Sequence, residues 1–143
     1  MDNISLKLND DSSVRNGLIK LSDALKSKII DEIKVSTLNL ETSAKRDCPV
    51  NFGILRSSIY KNENEDGSFY SSYVGSDMVY APYVEFGTGG MVSVPVGYED
   101  FAVQFKGQKK VIGMNAQPYL IPNYEIEIKR LIENIKKLLN AKS

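Results

Sequence analysis

Apolar residues recur at Leu18, Leu21, Leu25, Ile29 and Ile33, at spacings of three and four, and the pattern resumes at Leu40 and Ala44. That spacing predicts one stripe on one side of a helix, with Lys20, Lys26, Asp31 and Lys34 largely on the other. Ser12 or Ser13 is placed to cap its start by accepting hydrogen bonds from the first free amides. Pro49 lacks an amide donor and disfavours helical geometry at Cys48, so the helix is expected to stop by then. A continuous helix over 12–47 is on the order of 50 Å long at about 1.5 Å per residue. It is longer than one small sheet can cover, and that surplus limits the folds open to the chain. Val35, Ser36 and Thr37 are poorer helix formers and mark a place for a bend or local break. Residues 1–11 are polar and read as a flexible tail.

Beyond the helix, Leu55 to Tyr60 and Phe69 to Val74 are rich in β-branched, aromatic and small polar residues. The run from Asn62 to Gly67 reads as the turn of an antiparallel hairpin between them. Pro82 fits the first turn of a short helix that Gly87 can end, with Tyr80, Tyr83 and Val84 on one face. The glycine-bearing stretch from Gly87 to Gly113 holds two alternations, Val92-Val94-Val96 and Phe101-Val103-Phe105. The second is placed to pair with Lys109 to Met114 across Lys106 to Gln108. After Pro118 and Pro122, Asn123 is expected to cap a final helix over 123–140. Its Tyr124, Ile128, Leu131, Ile135 and Leu138 form one apolar face, widened by Ile132 and Leu139. This order predicts a single α+β domain over 1–143. The long N-terminal helix and the C-terminal helix pack on one face of a small antiparallel β-sheet, and 54–114 holds the sheet, the short helix and a loop.

Composition excludes more than it proposes. With 18 basic and 18 acidic residues the formal charge is zero, so no domain-wide cationic surface exists to displace counterions from phosphates. The chain has no histidine, which removes the usual general base, the usual partner of a Ser or Cys nucleophile and the commonest transition-metal ligand. Cys48 is the only cysteine; it cannot form an internal disulfide and reads as a small buried hydrophobe. No apolar run approaches the roughly 18 residues needed to span a bilayer. The polar start lacks the basic and hydrophobic regions of a secretory signal, so synthesis in the cytoplasm is expected.

Glu85, between Val84 and Phe86, has no second carboxylate near it in sequence for acid–base work, so a capping or ion-pair role is expected. Gly87-Thr88-Gly89-Gly90 lacks the Lys-Ser/Thr ending and the following helix of a phosphate-binding loop. Arg56, Lys106, Lys109 and Lys110 read as a solvated face.

Four blocks occur in a fixed order. They are Ala44-Lys45 with Cys48-Pro49-Val50 and Gly53; Leu55-Arg56-Ser57-Ser58-Ile59; Val74-Gly75 with Tyr80 to Gly89; and Ala116-Gln117-Pro118-Tyr119-Leu120 with Pro122. In these blocks, over roughly residues 40–125, the chain resembles the small neck, or tail-completion, proteins of long-tailed lambda-like bacteriophages and prophages, often labelled minor tail components. It departs from the family pattern at Asn51-Phe52-Gly53, where Asp-Thr-Gly is usual, and at Pro118-Tyr119-Leu120, where Pro-Phe-Leu is usual.

The resemblance implies a structural virion assembly protein at the head-tail junction. It joins the phage head connector to the tail, or completes the tail end, by subunit docking in a ring without catalysis or cofactor. The implied partners are connector or head-closure proteins, tail proteins and further copies of the chain. No membrane and no specific nucleic acid are involved, although DNA passes through the ring. The implied structural motif is Gly53, Leu55, Arg56, Ser58, Ile59, Gly75, Tyr80, Ala81, Pro82, Tyr83, Glu85, Phe86, Gly87, Thr88, Gly89, Pro118, Tyr119, Leu120 and Pro122. Arg56 and Glu85 are expected to order the hairpin and short helix through an ion pair. Partner contacts are expected in the loop at Val92, Val94, Val96, Phe101, Val103 and Phe105. The alternatives are a tail terminator that stops tube growth, a small enzyme holding a hard cation with Glu85 and Asp77, Glu99 or Asp100, and a DNA-binding accessory protein using Lys106 to Lys110 and the C-terminal lysines.

Overall fold

The computed structural model of the chain describes residues 23–67, 69–102, 104 and 112–141. Helix α1 (Asp23–Asp47) runs without a break through Val35, Ser36 and Thr37. The local break weighed there is absent, and both hydroxyls find partners that leave the backbone ladder intact. Thr37 Oγ1 donates to Ile33 O one turn back at 2.8 Å, and Ser36 Oγ donates to the Glu127 carboxylate at 3.2 Å. Leu25, Ile29, Leu40 and Ala44 are buried along the stripe that the spacing predicts. The tail over 1–11, the serine cap, Leu18 and Leu21 lie outside the described residues.

After Pro49 the chain makes a 3-10 turn (Val50–Phe52) and enters a short helix, α2 (Gly53–Ser58). Leu55 to Ile59 is therefore not a strand. A strand would bury Leu55, Ser57 and Ile59 together, yet Ser57 is exposed. The hydroxyls of Ser57 and Ser58 instead donate three residues back, to Ile54 O at 2.9 Å and Leu55 O at 2.7 Å, as a helical turn allows.

Strand β1 (Tyr60–Asp66) occupies most of the segment expected to be a turn. It pairs antiparallel with β2 (Phe69–Gly75) in an unbroken register from Tyr60 opposite Gly75 to Asp66 opposite Phe69. The polarity of Asn62 to Asp66 reflects exposure, since every residue from Lys61 to Asp66 faces solvent. The reversal itself falls at Gly67, whose φ of +54° suits glycine.

Helix α3 (Ala81–Phe86) has Pro82 in its first turn and ends at Gly87, where φ is +80°. Its faces differ from expectation: Val84 is buried and Tyr83 is 40% exposed. Among the described residues the valine and phenylalanine alternations form no strand; a 3-10 turn (Gly89–Met91) and a one-turn helix, α4 (Glu99–Ala102), stand there. Val92, Val94 and Phe101 pack around Phe86, Ala102 and Ile121, so their alternation marks a second small core rather than a free sheet edge. Val96 alone of the described members points outward, at 90% exposure. Val103, Phe105 and the reversal at Lys106 to Gln108 lie outside the described residues, and Ile112 to Met114 is not strand.

Helix α5 (Ile121–Asn140) starts two residues before Asn123, with Pro122 in its first turn. Asn123 is therefore not the cap. It is buried inside the first turn, and its Nδ2 donates to Tyr119 O at 2.8 Å and to Asp47 Oδ2 at 2.9 Å. Ile132 and Leu139 are exposed, which makes the buried stripe narrower than predicted.

Helices α1 and α5 run antiparallel, tied at Asp47–Asn123, Ser36–Glu127 and Glu32–Asn134. The inner strand β2 meets α1 where Ser72 Oγ donates to Thr37 Oγ1 at 2.8 Å. The fold is thus α+β: a long helix and a C-terminal helix with a two-stranded antiparallel sheet. Its main core gathers Leu40, Ala44, Cys48, Leu55, Ile59, Val74, Ala81, Val84, Tyr119 and Leu120. A cavity of about 60 Å³ lies between α1, β2 and α5, lined by Ser36, Thr37, Ser72 and Glu127 among apolar neighbours.

Candidate functional site: a framework around Glu85

Pro118 and Pro122 bracket the entry to α5, whose first amides have no partner inside the helix. The amide of Ile121 and those of the two residues before the helix are met by Glu85, reaching across from α3. One carboxylate oxygen, Oε2, accepts the amides of Tyr119 at 2.9 Å and Leu120 at 3.0 Å, and the other, Oε1, accepts that of Ile121 at 2.8 Å. Glu85 is only 1% exposed. Burial pushes its carboxyl above the usual carboxylate range, and the three amide bonds pull the other way without cancelling it. A negative group at a helix start also meets the positive end of the helix dipole.

Backbone bonds fasten the same two segments along their length. The amide of Gln117 donates to Val84 O at 2.8 Å, that of Thr88 donates to Met114 O at 2.9 Å, and that of Met114 donates to Thr88 Oγ1 at 2.7 Å. Two glycines make the approach possible. A Cβ on Gly87 would stand 2.7 Å from Met114 O, and one on Gly113 would stand 1.7 Å from Thr88 O. The third and fourth sequence blocks therefore form one unit, with Ala81, Pro82, Phe86, Tyr119 and Leu120 buried in it and Pro118 and Pro122 at its surface.

The first two blocks join in the same way. Arg56 Nη2 donates to Cys48 O at 2.7 Å, closing the turn at Pro49, and Leu55 and Ile59 are buried beside it. Ser58 Oγ and Ser76 Oγ lie 2.7 Å apart just beyond Gly75, linking α2 to the end of β2. The ring of Tyr80 lies 6.3 Å from that of Phe52, which sets α3 beside the turn before α2. Gly53 is exposed, while Thr88 and Gly89 sit half-buried at the crossing. Cys48 is free and buried, and its thiol is pushed up chiefly by burial.

Arg56 and Glu85 form no ion pair: Arg56 Nη2 is taken by Cys48 O while its Nε is buried without a hydrogen-bond partner, and both oxygens of Glu85 are taken by amides. Nor is Arg56 part of a solvated basic face, since its guanidinium turns inward to Cys48 O. The carboxylates weighed for a hard cation also go separate ways: Asp77 accepts the Tyr60 hydroxyl at 3.0 Å, and Glu99 accepts the Gly97 amide at 2.8 Å. Among the described residues no group of three or more Cys, Asp or Glu is placed to hold a metal ion. Both oxygens of Glu85 are occupied by amides away from solvent, so it is built to position backbone rather than to exchange protons with a ligand. No described helix is long and apolar enough to cross a membrane.

Sequence reasoning places Glu85 in a capping or pairing role but does not reach its partners, which lie 34 to 36 positions downstream. The Gly113–Thr88 crossing and the Ser36–Glu127 bond likewise leave no local signal. No protein-family model, curated protein or solved structure matches the chain.

Proposed function

We propose that this chain is a structural virion assembly protein of a tailed phage or prophage, joining the head connector to the tail or completing the tail end. It acts by docking as a ring subunit and catalyses no reaction. The observation that carries this reading is the bonding of Glu85 to the amides of Tyr119, Leu120 and Ile121. The third and fourth blocks of the resemblance meet there, which supports reading them as parts of one framework. A rigid framework suits a subunit whose outer loops and edges are buried on assembly. Val50, Ile54, Val79, Tyr83, Met91 and Val96 are apolar or aromatic and exposed around it, and they supply surface for neighbouring subunits.

The test is deletion of the coding sequence from the phage or prophage that carries it, followed by electron microscopy of the particles. DNA-filled heads beside unattached tails of normal length, restored to whole particles by the intact chain in trans, are expected. Overlong tails would replace this reading with a terminator that stops tube growth. Normal particles would end both.

A further inference from the structure

We propose that the outer edge of β1 is a docking edge that takes an extended, basic segment of another protein as a third strand. This inference stands on the hairpin alone and does not need the virion reading.

The two strands of the hairpin are treated unequally by the rest of the fold. β2 is held from one side by α1, through the Ser72–Thr37 bond and the Lys34 ammonium 5.5 Å from the Tyr70 ring centre. β1 is exposed at every position from Lys61 to Asp66. A two-stranded sheet is marginal by itself, and an added strand supplies main-chain hydrogen bonds whatever its sequence. Protein edges are commonly blunted by proline, a bulge, shortness or charged side chains. β1 has no proline or bulge, and all seven of its residues pair in register with β2; what guards it is charge, which turns away like strands and admits an opposite one.

Charge decides the occupant. β1 carries Glu63, Glu65 and Asp66 against one cation, Lys61. Lys61 is already engaged by Glu63 at 2.7 Å, and neither Glu65 nor Asp66 joins an ion pair among the described residues. Laying this edge against the same edge of a second copy brings two negatively charged strands together, which opposes pairing. A strand bearing Lys or Arg at alternate positions is favoured instead. Lys61, Glu63 and Glu65 share one face of β1 by the period of two, so the basic side chains would lie along that face. Phe69, opposite Asp66 and 59% exposed, offers an apolar anchor at the hairpin tip.

The experiment uses the full chain, labelled with ¹⁵N, and a blocked ten-residue peptide of alternating lysine and valine at low salt. Amide shifts are expected to concentrate on Tyr60 to Asp66, with exchange of the β1 amides slowed at least about tenfold in the bound state. The same peptide methylated on every backbone nitrogen keeps its charge but cannot pair, and is expected not to bind. A Glu65→Lys/Asp66→Lys variant with an unchanged circular dichroism spectrum is expected to bind at least about tenfold more weakly. Equal binding of the methylated peptide, shifts centred elsewhere, no binding, or self-association of the protein through β1 would each overturn the proposal.

Discussion

The Glu85 carboxylate accepts the amide of Ile121 at 2.8 Å across 36 positions of sequence, so the start of the last helix is set by a side chain in the middle of the chain. Position 85 is consequently sensitive to the loss of a single oxygen. In Glu85→Gln one carbonyl oxygen must serve three amides, and an NH₂ faces a donor. A loss of about 2–4 kcal/mol is expected, read as a lower urea midpoint at unchanged slope.

Two carboxyls give opposite slopes with pH. Asp47, bonded by Arg46 and Asn123, is held at about 2 against an ordinary 3.8. Its contribution is full above 3.8 and is lost as the pH falls toward 2. Glu85 is held above its ordinary 4.5, so its contribution is full below 4.5 and declines as the pH rises through the raised folded value. Melting temperatures across pH should show Asn123→Ala losing part of the first slope and Glu85→Gln losing the second.

The glycines separate cleanly. Gly53 has a helical φ of −56° and open space at its missing Cβ, so Gly53→Ala should gain about 0.5–1 kcal/mol. At Gly113 the new carbon would overlap Thr88 O, and Gly113→Ala should lose about 1–3 kcal/mol. Chemical denaturation of both variants beside the parent checks the sign of each.

Cys48 is 1% exposed with a thiol pushed upward by burial. Its reaction with a disulfide reagent should therefore be at least about a hundredfold slower in the native protein than in urea. Equal rates would show that the turn at Pro49 opens freely.

The sequence made the helical parts legible because a period of three and four is a property of one segment. Leu25, Ile29, Leu40 and Ala44 lie where that period puts them, and the Pro82 to Gly87 helix has its stops written at both ends. The strands were harder. Tyr60 to Asp66 has no buried face, so no alternation betrays it, and its acids and amides look like a turn. Val92 and Val94 alternate because both pack against the cluster around Phe86, a packing reason that imitates a strand. At the candidate site, the blocks were legible as blocks. That Glu85 would serve Tyr119, Leu120 and Ile121 was not, because a carboxylate carries no mark of which distant amides it will meet.

Thr88 and Met114 grip each other from both sides, amide to carbonyl and amide to hydroxyl, across 26 positions. The chain between them leaves and returns at one fixed point, like a handle on two riveted feet. The entropy of closing such a handle grows only slowly with its length, so added residues between the feet cost little in closure. A change at Val92, Val94 or Phe101 reaches further, because these side chains pack around Phe86 and Ile121 and make the handle part of the frame it is fixed to.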